Sequence, residues 1–181
     1  TTEIYTLSLH DALPISIPNY YCELGITNRI LTLAISNFQD ISVDVEHLIL
    51  QFEKKNNITF AESQKDAIIS AFQNGIEIIT GGPGTGKTTI IKCIIEIFET
   101  CGLKVLLGAP TGRAAKRMSE STGKEATTIH RMLDMGVFEK EESVFVTNAE
   151  EHSLEADVVI IDEASMIDIT LMNALLKSIK V

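Results

Sequence analysis

The chain has 181 residues, of which 45% are hydrophobic and 22% are charged, and its formal net charge is −10. This length fits one domain or slightly more. The acidic balance weighs against a protein that simply coats DNA, but it does not exclude a motor that grips a strand with a few placed groups. The cysteines (Cys22, Cys93 and Cys101) lack metal-ligand spacing and indicate reduced thiols in the cytosol. No apolar run approaches ~18 residues, so we expect no membrane helix.

Residues 1–15, TTEIYTLSLHDALPI, are expected to be foreign to the protein. They contain acidic residues and lack the positive start of a signal peptide. A DNA string that looks like a common short-read sequencing adapter translates to all of these residues in order. We therefore interpret them as a sequencing-library artefact fused in frame, and we exclude them from the fold prediction.

The next stretch, residues 16–57, predicts a helical N-terminal segment, because its apolar residues recur at spacings of three and four. Asp44 is placed to cap the second helix of this segment. Residues 54–57 (Lys-Lys-Asn-Asn) predict a polar break. A third amphipathic helix is predicted over Phe60–Asn74, with Gly75 at its C-terminal stop.

From residue 76 the pattern changes to alternating strands and helices, which predicts an α/β fold with a parallel sheet. Strands are predicted at Ile76–Thr80, Lys104–Gly108 and Val158–Ile161, and helices at Thr88–Cys101, Arg113–Ser119 and Ile167–Ile179. Residues 135–155 contain two short apolar pieces around an acidic turn. They fit a small projecting hairpin or, equally well, a solvated surface loop.

The strongest motif is GGPGTGKT at residues 81–88, which fits G-x-x-x-x-G-K-[ST] between a predicted strand and a predicted helix. Its glycines let backbone N–H groups close around phosphates, and the following helix adds its positive N-terminal end. Lys87 is the candidate catalytic cation for the β- and γ-phosphates, and the Thr88 hydroxyl is a candidate Mg²⁺ ligand. The candidate nucleotide-binding residues are Gly81, Gly82, Pro83, Gly84, Thr85, Gly86, Lys87, Thr88 and Thr89.

A second motif, VVIIDEAS at residues 158–165, ends an apolar strand with two acids. Asp162 is the candidate ligand of the Mg²⁺ ion, and Glu163 is the candidate catalytic residue that polarises an attacking water. Together the two motifs predict hydrolysis of a nucleoside triphosphate rather than binding alone.

Three further stretches are weak alone. GAPTGRAAKR at residues 108–117 offers a hydroxyl, backbone N–H groups and local positive charge to a phosphate. TTIHRML at residues 127–133 places a histidine and an arginine together, and the Gln64 amide could read an adenine edge. Each also fits an ordinary surface or core position. The candidate DNA-binding residues are Pro110, Thr111, Gly112, Arg113, His130 and Arg131.

The order of Gln64, GGPGTGKTT, GAPTGRAAKR, TIHRML and VVIIDEASM resembles the RecD-type helicases of superfamily 1B, that is, the exodeoxyribonuclease V alpha subunit and its stand-alone relatives. The resemblance covers about residues 45–181. It implies a RecA-like P-loop lobe (domain 1A) over residues 58–181, preceded by the helical segment, with residues 135–155 at the position of a small hairpin subdomain. It also makes Gln64 the adenine-contacting glutamine, Thr111 and its neighbours motif Ia, and Thr128–Arg131 motif Ib.

The resemblance further implies a cytoplasmic enzyme that uses ATP and Mg²⁺ to move 5′ to 3′ on single-stranded DNA in recombination and repair. Other exodeoxyribonuclease V subunits are candidate partners. Such helicases continue past the Asp-Glu motif with Gly-Asp-x-x-Gln-Leu-Pro and a second RecA-like domain that supplies an arginine worth ~10³–10⁵ in rate. Because this chain stops at Val181, we expect a fragment that binds nucleotide, turns it over feebly and does not unwind DNA.

Two alternatives stay open. The helicase part of a conjugative relaxase has similar motifs, and a nuclease domain with a histidine cluster before it would identify it. A clamp-loader-like regulatory ATPase would act through nucleotide-gated protein binding, and a downstream sensor arginine with a helical lid would identify that class.

Overall fold

The computed structural model describes residues 17–35, 43–134 and 153–180. The predicted adapter-like residues 1–15 therefore lie outside the described residues, as does most of the predicted hairpin at 135–155. Its last residues, 153–155, are described and form no strand. The elements in chain order are α1 (Ile17–Ile35), α2 (Val45–Asn56), α3 (Glu62–Gln73), α4 (Lys87–Thr100), β1 (Val105–Ala109), α5 (Gly112–Thr122), β2 (Ala126–Thr128), α6 (Ile129–Met132), β3 (Val158–Ile161), a 3₁₀ turn (Ala164–Met166) and α7 (Ile169–Ser178).

In the N-terminal segment, the described stretches Ile17–Ile35 and Val45–Asn56 are helical, as predicted. The carboxylate of Asp44 accepts a hydrogen bond from the backbone N–H of His47 and so caps α2. The predicted polar break at residues 54–57 starts too early, because α2 continues to Asn56. Asn57 ends the helix in the left-handed conformation (φ 52°), which asparagine tolerates better than most residues.

A buried carboxylate fixes the connection from α2 to α3. Glu53 is 8% exposed, and its Oε1 accepts a hydrogen bond of 2.7 Å from the backbone N–H of Phe60. Lys65 of α3 adds a partly exposed positive charge, with Nζ 3.8 Å from the same oxygen. The start of α3 was predicted two residues too early, and the helix ends at Asn74 in an extended conformation rather than at Gly75.

The sheet has three parallel strands in the order β2-β1-β3. The prediction for β3 is confirmed in full, and β1 lies one residue later than predicted. Strand β2 was not predicted, because its sequence, Ala-Thr-Thr, has no apolar run. Its extended conformation comes from pairing with β1, where Leu107, Gly108 and Ala109 lie opposite its three residues.

The strand predicted at Ile76–Thr80 is wrong for the described residues, in which this stretch has no ladder partner. Ile79 packs on the core next to α4, whereas Ile78 is 78% exposed. The apolar composition therefore predicts partial burial correctly. It cannot establish a strand, because a strand also needs a hydrogen-bonded neighbour.

Side chains alternate between the two faces of the sheet. Val105 and Ile160 pack toward α4, whereas Leu106, Val159 and Ile161 pack toward α7. The centre of the α4 face is built by buried residues of several helices: Ile49, Phe52, Phe60, Ile68, Ile90, Cys93, Ile94, Ile97 and Phe98. Both faces are covered by helices, as expected of a parallel sheet in a RecA-like P-loop lobe.

Helix α7 is shorter than the predicted Ile167–Ile179, because Asp168 caps it through the backbone N–H of Leu171. Helix α1 packs against α7, and the Arg29 guanidinium donates to the backbone oxygens of Leu176 and Ile179. These bonds satisfy carbonyl groups at the end of α7. Within the described ranges, every helix is too short or too polar to cross a membrane.

Candidate functional site

Loops with chemically active side chains meet at the carboxyl edge of the sheet. Register places Ala109 opposite Thr128, and Gly108 opposite both Thr127 and Ile161, so the three parallel strands end side by side. Motifs Ia, Ib and the Asp-Glu pair follow directly after these strands. This is the edge at which open parallel α/β sheets bind ligands.

The glycine-rich loop leads into α4 through backbone conformations that need glycine. Gly84 has φ 75° and Gly86 has φ 83°, and Gly86 is the N-cap of α4. Thr85 Oγ1 donates to the Gly82 carbonyl at 2.9 Å, which ties the loop to itself. The loop thus presents the N-terminal end of a 14-residue helix, where backbone N–H groups favour anions.

Lys87 folds over this loop. Its Nζ donates to the carbonyl oxygens of Gly81 at 2.5 Å and Gly82 at 2.7 Å. The ammonium is therefore held inside the loop by neutral acceptors. A phosphate oxygen is a stronger acceptor for a cation than a carbonyl, because both partners are then charged.

Gln64 is brought to the loop from α3, although it lies 21 residues from Thr85. Its Oε1 accepts from the backbone N–H of Ala61 at 2.8 Å, and its Nε2 donates to the Thr85 carbonyl at 2.9 Å. Each end of the amide keeps capacity for another bond, because an amide has two donor hydrogens and two acceptor lone pairs. The side chain is thus positioned at the loop with hydrogen-bonding groups to spare.

The Asp-Glu pair stands where β3 ends. The backbone N–H of Asp162 donates to the Gly108 carbonyl at 3.0 Å, which extends the pairing with β1 by one residue. Its carboxylate accepts from the backbone N–H of Glu163 at 2.9 Å. Glu163 itself has φ 54°, an uncommon conformation for a residue with a side chain. The backbone turns sharply here and re-aims the second acid.

Glu163 is paired with Arg117, the last residue of the GAPTGRAAKR stretch that supplies local positive charge. The guanidinium donates to Oε1 of Glu163 at 2.5 Å, while the side chains are 63% and 31% exposed. The one signal in the sequence is the four-residue spacing from Arg113, which places both arginines on one side of α5. That spacing does not identify the partner.

In motif Ia, Thr111 has a structural task. Its hydroxyl accepts from the backbone N–H of Ala114 at 3.2 Å and caps α5, while Pro110 is partly buried. Gly112 and Arg113 are exposed. The exposed backbone start of α5 and the Arg113 guanidinium are therefore the groups of this motif that a ligand can reach.

In motif Ib, Thr128 caps α6 in the same way, accepting from the backbone N–H of Arg131 at 3.3 Å. His130 and Arg131 are exposed beside the sheet edge, whereas Ile129 is fully buried. Met132 packs over the sheet, where its Cε lies 2.7 Å from the place that a Cβ on Gly108 would occupy. Met132 is partly buried and packs against the core on this face of the sheet.

Thr88 and Thr89 lie in the first turn of α4, the first exposed and the second partly buried. In the part of the chain that the structure describes, no hydrogen bond or ion pair joins residues 81–89 to Asp162 or Glu163. Nor does this part contain a cluster of three His, Cys, Asp or Glu side chains that could hold a metal. One hydroxyl and one carboxylate fit Mg²⁺, which keeps several waters and takes phosphate oxygens as its other ligands.

A glycine-rich loop opening a helix, together with a strand that ends in Asp-Glu at the carboxyl edge of a parallel sheet, defines the class of P-loop NTPases. The chain belongs to the AAA domain family, whose model matches residues 64–181.

Relatives of this chain include named DNA helicases. It is 38% identical over 126 residues to the ATP-dependent RecD2 DNA helicase of Deinococcus radiodurans, covering 70% of this chain and 17% of the relative. It is 32% identical over 175 residues to the RecBCD enzyme subunit RecD of Haemophilus influenzae, covering 82% and 26%. It is 44% identical over 103 residues to the ATP-dependent DNA helicase dda of Enterobacteria phage T4, covering 56% and 24%. The resemblance to RecD-type helicases is confirmed, and the chain spans about a quarter or less of these relatives.

Proposed function

We propose that this chain is the first motor lobe of an ATP-dependent DNA helicase of the RecD type, which moves 5′ to 3′ on single-stranded DNA in recombination and repair. The observation that carries the proposal is the gathering of motifs Ia, Ib and the Asp-Glu pair at one sheet edge, with Gln64 bonded to the phosphate loop. The order of these motifs along the chain is also the feature of the sequence that resembles the RecD-type helicases.

In this proposal the cofactors are ATP and Mg²⁺, and the loop of residues 81–89 holds the triphosphate. Lys87 exchanges its two carbonyl acceptors for phosphate oxygens. Thr88 and Asp162 hold the ion, and Gln64 contacts the adenine with its spare hydrogen-bonding capacity. When bound, the magnesium nucleotide supplies a phosphoryl group whose transfer to water releases free energy.

Glu163 is the proposed catalytic residue, because it lies at the end of β3 beside the proposed ion ligand Asp162. Its task is to orient and polarise the attacking water, which requires a carboxylate oxygen free to accept a hydrogen bond from that water. An amide at this position keeps the shape of the side chain but is a far weaker base. Replacement by glutamine should therefore separate binding from turnover.

The proposed DNA contacts are the start of α5 (Pro110, Thr111, Gly112 and Arg113) and the His130-Arg131 pair. Thr111 acts there through the backbone that it caps rather than through its hydroxyl. Because Arg113, His130 and Arg131 are all exposed beside the same sheet edge, one strand can pass across them. Such contacts reach the sugar-phosphate backbone and carry no sequence preference.

The domain division follows from the same proposal. In this proposal, residues 1–15 are an adapter-derived artefact, residues 16–57 precede the motor, and residues 58–181 belong to domain 1A with an insertion at 135–155. A second RecA-like lobe outside this sequence completes the motor, other exodeoxyribonuclease V subunits are candidate partners, and the enzyme works in the cytoplasm.

Long-read sequencing of the source locus tests the domain division. The proposal requires residues 1–15 to vanish and Gly-Asp-x-x-Gln-Leu-Pro to follow Val181, whereas a frame that keeps residues 1–15 and stops near Val181 contradicts it.

The activity is tested on the full-length product of that locus. We expect ATP hydrolysis that single-stranded DNA stimulates, and unwinding of a duplex with a 5′ single-stranded tail but not one with a 3′ tail. The Glu163→Gln variant should bind ATP and lose both activities, whereas Glu120→Gln, an exposed substitution on α5, should keep them. A full-length protein that hydrolyses ATP without response to DNA would contradict the proposal and favour a regulatory ATPase.

A further inference from the structure

The ion pair between Arg117 and Glu163 links α5, the helix that carries part of the proposed DNA contacts, to the proposed catalytic acid. Arg117 lies on α5, the helix that starts at motif Ia, and Glu163 follows β3, 46 residues further along the chain. The contact is direct, with the guanidinium nitrogen 2.5 Å from Oε1. The carboxylate that should accept a hydrogen bond from water is thus held by a cation of α5, the helix that begins at the proposed DNA contacts.

The other cations of α5 are arranged differently. Lys116 pairs within the helix, with its Nζ 3.9 Å from Glu120. Arg113 has no ion pair in the described ranges. Arg117 is therefore the cation of this helix whose partner belongs to the hydrolysis site.

The pair is suited to exchange rather than to permanent attachment. Arg117 is 63% exposed, so another anion can reach its guanidinium from solvent. Exposed ion pairs contribute little net stability, since water solvates both groups well when they separate. A DNA phosphate matches the guanidinium as well as a carboxylate does, because both accept its parallel N–H groups.

We propose that Arg117 is a positioning residue on α5 that holds the carboxylate of Glu163 in the absence of DNA. When a phosphate of single-stranded DNA binds the guanidinium in its place, the carboxylate is released and can accept a hydrogen bond from the attacking water. This inference rests on the proposed function. It adds a route by which DNA binding turns on hydrolysis within one lobe. Its direction is inhibitory, so removing Arg117 should raise hydrolysis in the absence of DNA.

The test compares Arg117→Ala with wild type in the full-length protein, measuring kcat and KM for ATP with and without a saturating single-stranded oligonucleotide. We expect Arg117→Ala to raise the DNA-independent kcat by about 2- to 5-fold, the factor that an exposed ion pair of up to ~1 kcal/mol corresponds to. The DNA-bound kcat and the KM for ATP should stay close to wild type. The stimulation ratio therefore falls.

Two matched variants make the result specific. Lys116→Ala removes a neighbouring cation that does not touch Glu163, so it should keep the wild-type ratio. Arg117→Lys keeps a cation at the site and should restore part of the stimulation. The far-ultraviolet circular dichroism of each variant should match wild type.

The inference is overturned if Arg117→Ala keeps the wild-type ratio, or if kcat falls equally with and without DNA, as loss of a merely structural contact would cause. Both outcomes require a wild-type enzyme that DNA stimulates. A wild-type enzyme without DNA stimulation contradicts the proposed function itself, so the two failures are distinguishable.

Discussion

The amide nitrogen of Gln64 lies 2.7 Å from the place that a Cβ on Gly86 would occupy. Gly86 also has φ 83°, a backbone conformation that strains any residue with a side chain, and a Cβ there would force the end of the Gln64 side chain to move. Gln64, the candidate adenine-contacting residue, therefore packs directly against Gly86, the last glycine of the phosphate loop. A change in either residue should be felt by the other.

The first prediction concerns Gly86→Ala. The added methyl group strains the backbone at the start of α4 and displaces the Gln64 amide from its bond to the loop, so the affinity for MgATP should fall by about tenfold or more, which corresponds to ~1.4 kcal/mol. Isothermal titration calorimetry on the 181-residue chain measures this change. Gly112→Ala is the matched control, since a Cβ there meets nothing within 4 Å and Gly112 has no positive φ. Equal loss in both variants would contradict the packing argument.

A second prediction separates the two tasks of Gln64. Gln64→Ala removes the proposed adenine contact and also the bond to the Thr85 carbonyl, so ATP and GTP should bind with more similar affinities than they do to wild type. A neutral hydrogen bond contributes about 0.5–1.5 kcal/mol, so the preference for ATP should fall by roughly 2- to 12-fold. Competition titrations with both nucleotides measure it. An unchanged preference would show that the amide serves only the loop.

A third prediction concerns Cys93 in the centre of α4. Burial, reinforced by the charges of Glu96 and Glu53, raises the pKa of this thiol from 9.0 to about 12. The thiolate is the reactive form, so Cys93 should resist a disulfide reagent at pH 8 in the folded chain, while the partly exposed Cys22 and Cys101 react. Counting labelled thiols before and after adding urea checks this. Rapid native labelling of Cys93 would contradict the core described here.

The same shift has a consequence for stability. Because the pKa of Cys93 is raised in the folded state, the folded chain keeps the thiol proton up to a higher pH than the unfolded chain does. The stabilisation is therefore fully present below the unfolded pKa of 9.0 and is lost as pH rises through about 12. In Cys93→Ala this part of the alkaline loss in unfolding free energy should be absent.

A fourth prediction concerns Glu53, whose carboxylate accepts from the buried N–H of Phe60. Glu53→Ala leaves that donor without its partner, which should lower the free energy of unfolding by about 1–3 kcal/mol. Urea titration followed by circular dichroism measures the change. Glu46→Ala in the same helix should cost only about 0.3–1 kcal/mol, because Glu46 is exposed and acts through the helix dipole. If both variants lose the same stability, Glu53 does not anchor the link to α3.

Local signals predicted the parts of the fold that local chemistry determines. Strand β3 was predicted to the residue, because four β-branched residues stand before two acids. The helix after the glycine-rich loop was predicted to within one residue at each end, because the loop motif fixes its start and Gly102 follows its end. Asp44 was correctly predicted as a cap for the same local reason.

Features that depend on strand pairing or on contacts between distant residues could not be predicted from local signals. Strand β2 is three residues long and exists because β1 lies beside it, whereas the apolar stretch before the loop has no such neighbour among the described residues. The ion pair of Arg117 with Glu163 joins residues far apart in the chain, and no periodicity relates them. The Gln64–Gly86 contact likewise depends on how α3 packs on α4.

The central claim is that Lys87 and its loop bind the phosphates of ATP. The most direct test titrates MgATP into the 181-residue chain and into its Lys87→Ala and Lys92→Ala variants by calorimetry. Lys92 is an exposed cation on the same helix, so Lys92→Ala should bind like wild type, whereas Lys87→Ala should lose about tenfold or more in affinity, as expected for a charged hydrogen bond of ~1.5–3 kcal/mol. A folded wild-type chain that binds no MgATP, or a Lys87→Ala variant that binds it as tightly as wild type, would contradict the claim.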